Sequence, residues 1–166
     1  MTFEKMTASE ARNLRKLPKA KKVKQKPIIS AHTKALKKAD AQFSIYCRAM
    51  WAQEDGGVRC CTCGAWKRWK MPDGSMHCGH WQLRGYGATR FDFHNVGPQC
   101  VVCNRWKEGE KAKMETWLTK TYGAAEVERI RIAANTQRNL DDFELAAISS
   151  HFKKEADKII KQKWLT

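Results

Sequence analysis

Two C-x-x-C pairs constrain this chain more than any other feature. Cys60 and Cys63 bound the knuckle Cys60-Cys61-Thr62-Cys63-Gly64, and Cys100 and Cys103 bound Cys100-Val101-Val102-Cys103-Asn104. Each knuckle presents two thiolates from one tight turn. Together they supply four soft sulfur ligands, the set that fills the tetrahedral shell of Zn²⁺ with protein alone. A closed shell is structural, and the free energy of binding the metal then counts toward folding. Cys60 rather than Cys61 is the expected ligand, because C-x-x-C followed by Gly is the usual knuckle spacing. Of the seven cysteines, Cys47 falls on an apolar helical face and reads as core, while Cys61 and Cys78 are spare. The stretch MTFEKMTASEARNLRKLPK has no apolar run of the kind a secretory signal needs. A cytoplasmic location is expected, where paired cysteines read as metal ligands rather than disulfides.

The charge balance narrows the partner. The formal net charge is +15, which points to a polyanion. Nucleic acid is favoured over an acidic membrane surface, since no long apolar run exists and no segment sets a Lys/Arg face against a Trp/Leu face. Residues 1–29 read as a basic, flexible arm that can lie along phosphates. Residues 30–166 read as a single zinc-stabilised domain, and an apolar content of 42% suffices for one core of moderate size. Within it, SAHTKALKKADAQFSIYCRAMWAQ places Leu36, Ala39, Phe43, Tyr46, Cys47 and Met50 on one helical face, with Ser30 or Thr33 as N-cap. Residues 58–83 hold short strand-like runs around a turn at Pro72-Asp73-Gly74-Ser75. After Cys103, NRWKEGEKAKMETWLTKTYG predicts a helix ending at Gly123. A short helix over AAEVERIRIAAN follows. The last helix starts at Asp141 or Asp142, with Phe143, Leu145, Ala146, Ile148, Phe152, Ala156, Ile159 and Ile160 as its apolar set.

The stretch from Met76 to Trp106 holds His77, His80 and His94, three of the five histidines. His80 lies between the knuckles in HCGHW, Asn95 lies in FHNVGPQC, and Asn104 directly follows the last cysteine. This order resembles the HNH, or ββα-metal, nuclease motif. At the level of whole segments, C-x-x-C…H-x-G-H-W…R-F-D…N-V…Q-C-x-x-C-N resembles the NinG/Rap family of lambdoid phages, from the helix near Lys37 to the C-terminal helix. It is also similar to phage endonuclease VII, a resolvase of branched DNA.

The resemblance implies an α+β fold: a ββα-metal, HNH-like zinc-knuckle core flanked by N-terminal and C-terminal helices. It implies a structure-selective DNA endonuclease acting on Holliday junctions and D-loops in the cytoplasm of the phage's host. His80 would be the general base, Asn95 its brace and Asn104 a ligand to a catalytic Mg²⁺ or Mn²⁺. A neutral imidazole can take a proton from water at neutral pH, and a hard cation can stabilise charge building on a phosphate. One departure stands out. Many ββα-metal nucleases carry an Asp or His ligand directly before the base, and here that position is Gly79. His77 and Asp92 are the candidate replacements, and Glu108 and Glu110 could complete the shell. On a regular strand His77 and His80 point to opposite faces, so both reach one ion only if the strand bulges.

Lys67, Arg68, Lys70, Arg84, Arg90, Arg105 and Lys107 surround the motif. Arg84, Arg90, Arg105 and Lys107 are the expected DNA contacts, with Arg90 either a phosphate clamp or bound to Asp92 or a helix end. Most of Trp66, Trp69, Trp81 and Trp106 should pack the fold, with one or two free to stack on unpaired bases. A homodimer would supply two active sites for symmetric cutting. Two rival functions carry weight: a zinc-dependent DNA-binding recombination accessory protein without catalysis, supported by Gly79, and a general HNH nicking endonuclease.

Overall fold

A computed structural model describes residues 29–70 and 76–164. The basic arm, apart from Ile29, and the turn expected at Pro72–Ser75 fall outside the described residues. Helix α1 spans Ala31–Trp51 and begins where Ser30 Oγ accepts the Thr33 amide at 3.1 Å. Ser30 is therefore the cap, filling one of the donors a helix start leaves open. Two antiparallel hairpins follow: β1 (Gly57–Arg59) with β2 (Trp66–Arg68), and β3 (His77–His80) with β4 (Val96–Gln99). A short 3-10 turn, Phe93–Asn95, leads into β4. The fold is thus α+β, completed by α2 (Lys111–Tyr122), α3 (Ala124–Ala134) and α4 (Asp142–Trp164).

The helix expected from Asn104 to Gly123 is broken. Val102–Trp106 form a π-helical turn, and α2 starts only at Lys111. Between them Glu108, Gly109 and Glu110 all take positive φ, at 50°, 82° and 44°. The buried Gln99 side chain donates to the Gly109 carbonyl at 2.6 Å, and the Gly109 amide donates to Cys103 O at 2.9 Å. These tertiary bonds hold a reversal that helical propensity alone does not predict.

Helix α4 is capped by Asp141, whose carboxylate accepts the Glu144 amide at 2.8 Å while Glu144 returns a bond to the Asp141 amide at 3.0 Å. This reciprocal arrangement is a capping box. α4 packs along α1. At their far ends Lys163 Nζ reaches the carbonyls of Ala49 (2.9 Å) and Ala52 (2.6 Å), placing a cation on the C-terminus of α1. Trp164 stacks on Trp69 with ring centroids 5.0 Å apart. Of the apolar set expected on α4, Leu145 and Ala156 are buried, whereas Phe143 is 84% exposed. On α1 the buried residues are Ala39, Phe43, Cys47 and Ala49, with Met50 turned outward.

The core divides into three clusters. Phe43, Cys47, Cys78 and Val96 lock α1 onto the β3–β4 hairpin. Trp81, Met114, Leu118, Val127 and Ile130 tie α2 to α3. Val58 and Met76 join Cys60, Cys100 and Cys103 around the knuckles. The β3–β4 hairpin sits between them and carries His77 and His80 at its edge.

Candidate functional site

The two knuckles meet. The ligand atoms of Cys60, Cys63, Cys100 and Cys103 all lie within 4.8 Å of one another. A tetrahedron with Zn–S bonds of about 2.3 Å has sulfur–sulfur edges of about 3.8 Å, and Cys63 Sγ stands 3.8 Å from Cys100 Sγ. The four thiols therefore fit a structural zinc ion. Burial works against the Cys60 thiolate, but the Thr62 hydroxyl and backbone amides outweigh it and bring the thiol down to about 6. The Cys61 thiol goes the other way, raised by burial, and its side chain packs beside Trp81 and Met114. Its amide donates to Pro98 O at 2.7 Å, which docks the first knuckle on β4. Among the described residues no other group of three or more His, Cys, Asp or Glu side chains converges on a metal-sized space.

His80 ends β3 and is largely enclosed. Its Nε2 lies 2.9 Å from the Arg90 carbonyl, and Arg84 Nε donates to its Nδ1 at 3.4 Å. A carbonyl only accepts and an arginine only donates, so both neighbours specify one tautomer: proton on Nε2, lone pair on Nδ1. Burial lowers the imidazole to about 4, so the ring is neutral at pH 7. The lone pair is taken by Arg84, and the ring lines a cleft of about 510 Å³ together with Cys78, Leu83, Arg84, Asn104, Glu108, Gly109 and Lys111.

Asn95, fully buried, braces this cleft indirectly. Its Oδ1 accepts the Gln82 amide at 2.7 Å, and its Nδ2 donates to the carbonyls of Thr89 (2.9 Å) and Gln82 (3.2 Å). It holds the loop that delivers the Arg90 carbonyl to His80, and does not touch the imidazole. Asn104, on the π-helical turn, lies 2.9 Å through Nδ2 from His77 Nδ1. This contact orients the amide and leaves Oδ1 without a hydrogen-bond partner among the described residues. His77 itself is outside the cleft lining. The β3–β4 register runs His77↔Gln99, Cys78↔Pro98, Gly79↔Gly97, His80↔Val96 without a bulge. His77 and His80 accordingly project to opposite faces. Asp92 is also elsewhere: it accepts the His94 amide at 2.9 Å and binds Arg129 at 2.6 Å.

Gly79 has a physical reason. A Cβ there would lie 2.1 Å from Gln99 Oε1. The space that a side chain before His80 would occupy is filled from the neighbouring strand. Gln99 Oε1 is buried with no hydrogen-bond partner among the described residues.

Asn104 and Glu108 are the cleft-lining residues with side-chain oxygens, and Glu108 has no ion pair among the described residues. Mg²⁺ keeps several waters and takes few protein ligands, all of them oxygen, the donor type that these two residues carry. Glu110 is not among the cleft-lining residues, and Lys113 and Lys107 hold its carboxylate below the usual range.

The family model for the bacteriophage lambda NinG protein matches residues 2–162. The chain belongs to the NinG family. A curated relative, the ninG protein of Salmonella phage P22, is 29% identical over 79 residues. That alignment covers 47% of this NinG-family chain and 36% of the relative, so the chain spans little more than a third of that relative's length. No solved structure matches it. No helix among the described residues is long and apolar enough to cross a membrane.

The basic residues of this NinG-family chain divide into used and free. Arg90 is used: it makes a two-pronged pair with Asp40 at 2.9 and 2.6 Å, and donates to Arg84 O at 2.5 Å. Its partner is Asp40 on α1, not Asp92, and it pins the loop instead of facing solvent. Arg84 and Arg105 have no carboxylate partner among the described residues, and Lys107 has a loose one at 3.5 Å. His94 binds Glu126 at 2.5 Å and stacks on Tyr122, tying the 3-10 turn to the helices α2 and α3. Trp81 is buried, while Trp66 and Trp106 are exposed. Sequence reading missed Lys111. Its half-buried ammonium is bound to the carbonyls of His80 (2.6 Å) and Trp81. Nothing in its flanking residues marks it; only the fold brings it to the cleft.

Proposed function

We propose that this chain is a metal-dependent endonuclease that hydrolyses phosphodiester bonds in branched DNA recombination intermediates. The observation that carries the proposal is His80: a neutral ring anchored through Nε2 in a cationic cleft that also holds Asn104, its Nδ1 lone pair held by Arg84 and freed for water when Arg84 turns to a phosphate. Such a ring takes a proton from a water attacking phosphorus. Arg84, already 3.4 Å from the ring, is positioned to receive a phosphate oxygen, and Lys111 carries a second positive charge in the same cleft. Asn104 and Glu108 would hold Mg²⁺ or Mn²⁺, which supplies charge stabilisation for the phosphate and leaving oxygen. Asn95 keeps the loop closed around His80. The β3–β4 hairpin followed by the π-helical turn supports a ββα-metal reading of the core. The net charge of +15 supports DNA as partner, and membership of the NinG family together with the likeness to endonuclease VII supports branched DNA.

A second reading, a DNA-binding accessory protein without catalysis, draws support from Gly79, where the usual acidic ligand is replaced by Gln99 packing. The discriminating experiment is cleavage of a labelled Holliday junction, a D-loop and linear duplex in Mg²⁺ or Mn²⁺, by wild type and His80→Ala. The nuclease reading expects cutting of branched substrates by wild type, and retained binding without cutting by the variant. Binding without cutting by both proteins would leave the accessory reading. Equal cutting of linear duplex would indicate a general nicking enzyme. Native mass with and without DNA tests the dimer that symmetric cutting would use.

A further inference from the structure

Two further cavities stand in series with the cleft at His80, each sharing at least one lining residue with the one before it. Arg84 lines the cleft and the first of these, of about 240 Å³. Gly85, Gly87, Arg138 and Asn139 line both that cavity and the next, of about 430 Å³. The result is one trough over the loop 84–87, ending against residues 134–139. The loop is seated closely: a Cβ at Gly87 would lie 2.1 Å from the Arg138 carbonyl, whereas one at Gly85 would meet nothing.

The lining has a distinct chemistry. None of the described residues lining either cavity is acidic, in a chain with 17 carboxylates. Three nearby acids are paired with lining residues: Asp40 with Arg90, Asp142 with His32 and Glu144 with Arg138. The lining arginines are Arg84, Arg90 and Arg138, of which Arg84 has no carboxylate partner among the described residues. Asn135, Gln137 and Asn139 present amides, each with a donor and an acceptor. Tyr86 is 42% exposed, and its ring has no ring or hydrogen-bond partner among the described residues.

We infer that this trough holds an unpaired DNA strand running from the reacting phosphate, with Tyr86 as the stacking platform. The inference rests on the nucleic-acid part of the reading above. Arginine and amide side chains suit phosphates and base edges, and a free aromatic ring suits a base face. A duplex keeps its base faces stacked inside, so an exposed ring beside amides gains nothing from it. A splayed strand at a branch offers both faces and edges.

The test is fluorescence anisotropy with a labelled oligothymidine and, separately, a labelled blunt duplex, on the full chain with zinc bound and no Mg²⁺ or Mn²⁺ added. Tyr86→Ala is expected to weaken oligothymidine binding roughly 5- to 100-fold, the value of one lost stack. Duplex binding should change by less than about twofold. Tyr86 lies on the surface, so folding is unaffected; zinc content and circular dichroism verify this. Arg138→Gln should act in the same direction. An equal loss for both ligands, or no loss for either, overturns the trough. The result is independent of catalysis. Failure of His80-dependent cutting with a Tyr86-dependent preference for the single strand would remove the nuclease and keep the trough, and the reverse pattern would do the opposite.

Discussion

Gln99 places its amide oxygen 2.1 Å from where a Cβ on Gly79 would stand. Two strands thereby exchange roles. The position before His80 gives up its side chain, and the residue before Cys100 fills the space. Gly79→Asp should destabilise the fold by about 3 kcal/mol or more, since it overpacks a closed site and buries a carboxylate. Urea unfolding would show it. The double variant Gly79→Asp/Gln99→Ala should regain part of the loss, because the clash has one owner. Equal instability of single and double variants would show that backbone, not Gln99, demands the glycine.

His80 makes a pH prediction. Burial holds the folded-state pKa near 4, below about 6.5 for the unfolded chain. Between these values the unfolded state binds the proton and the native state does not. Stability from this group is therefore complete above pH 6.5 and declines as pH falls toward 4, by on the order of 3 kcal/mol in all. Replacing His80 with Gln should flatten the stability profile between pH 6.5 and 5, with zinc per chain measured at each pH because thiolate ligands compete with protons. Denaturation midpoints across that range, compared with wild type, would check it. Any cleavage should keep its rate from pH 7 down to about 5, since the base stays neutral.

The spare cysteine separates ligand from packing. Cys63→Ser should lose the metal, measured as zinc per chain, and with it the fold of the knuckle segment. Cys61→Ser should retain it, because Cys61 packs beside Trp81 and Met114, with a cost of about 1–2 kcal/mol for a buried hydroxyl. Zinc lost in both variants would place Cys61 among the ligands.

Arg90 and Asp40 form a pair whose side chains are 15% and 17% exposed. Removing one partner leaves the other charge enclosed. Arg90→Ala should cost about 3 kcal/mol, and should lower any cleavage because the loop carrying the carbonyl for His80 is released. Arg90→Lys should recover little, since an ammonium cannot make the two-pronged contact. A phosphate-clamp role would instead lower DNA affinity with stability unchanged.

Much of this molecule was legible because its signals are local. Knuckle spacing selected Cys60 over Cys61, as turn geometry sets which thiols face inward. Ser30 and Gly123 marked helix ends through backbone needs that neighbouring residues supply. The break before Lys111 was not legible: the stretch has helical composition, and the reversal at Glu108–Glu110 is imposed by Gln99 and Cys103 from outside it. Phe143 misled for a related reason, because helical periodicity names an apolar residue without saying whether another element covers it.

The same division holds at the site. The chain's own order determined that His80 and Asn104 belong with the four cysteines, since the knuckles fix where the intervening strand and the following turn must lie. The partners of the individual side chains came from tertiary structure alone. Asp40 takes Arg90, Arg90 presents its carbonyl to His80, His77 turns to Asn104, and Lys111 crosses to the end of β3. Each of these contacts joins segments whose relative placement depends on how α1, α2 and the hairpin pack, and no short-range pattern encodes that packing.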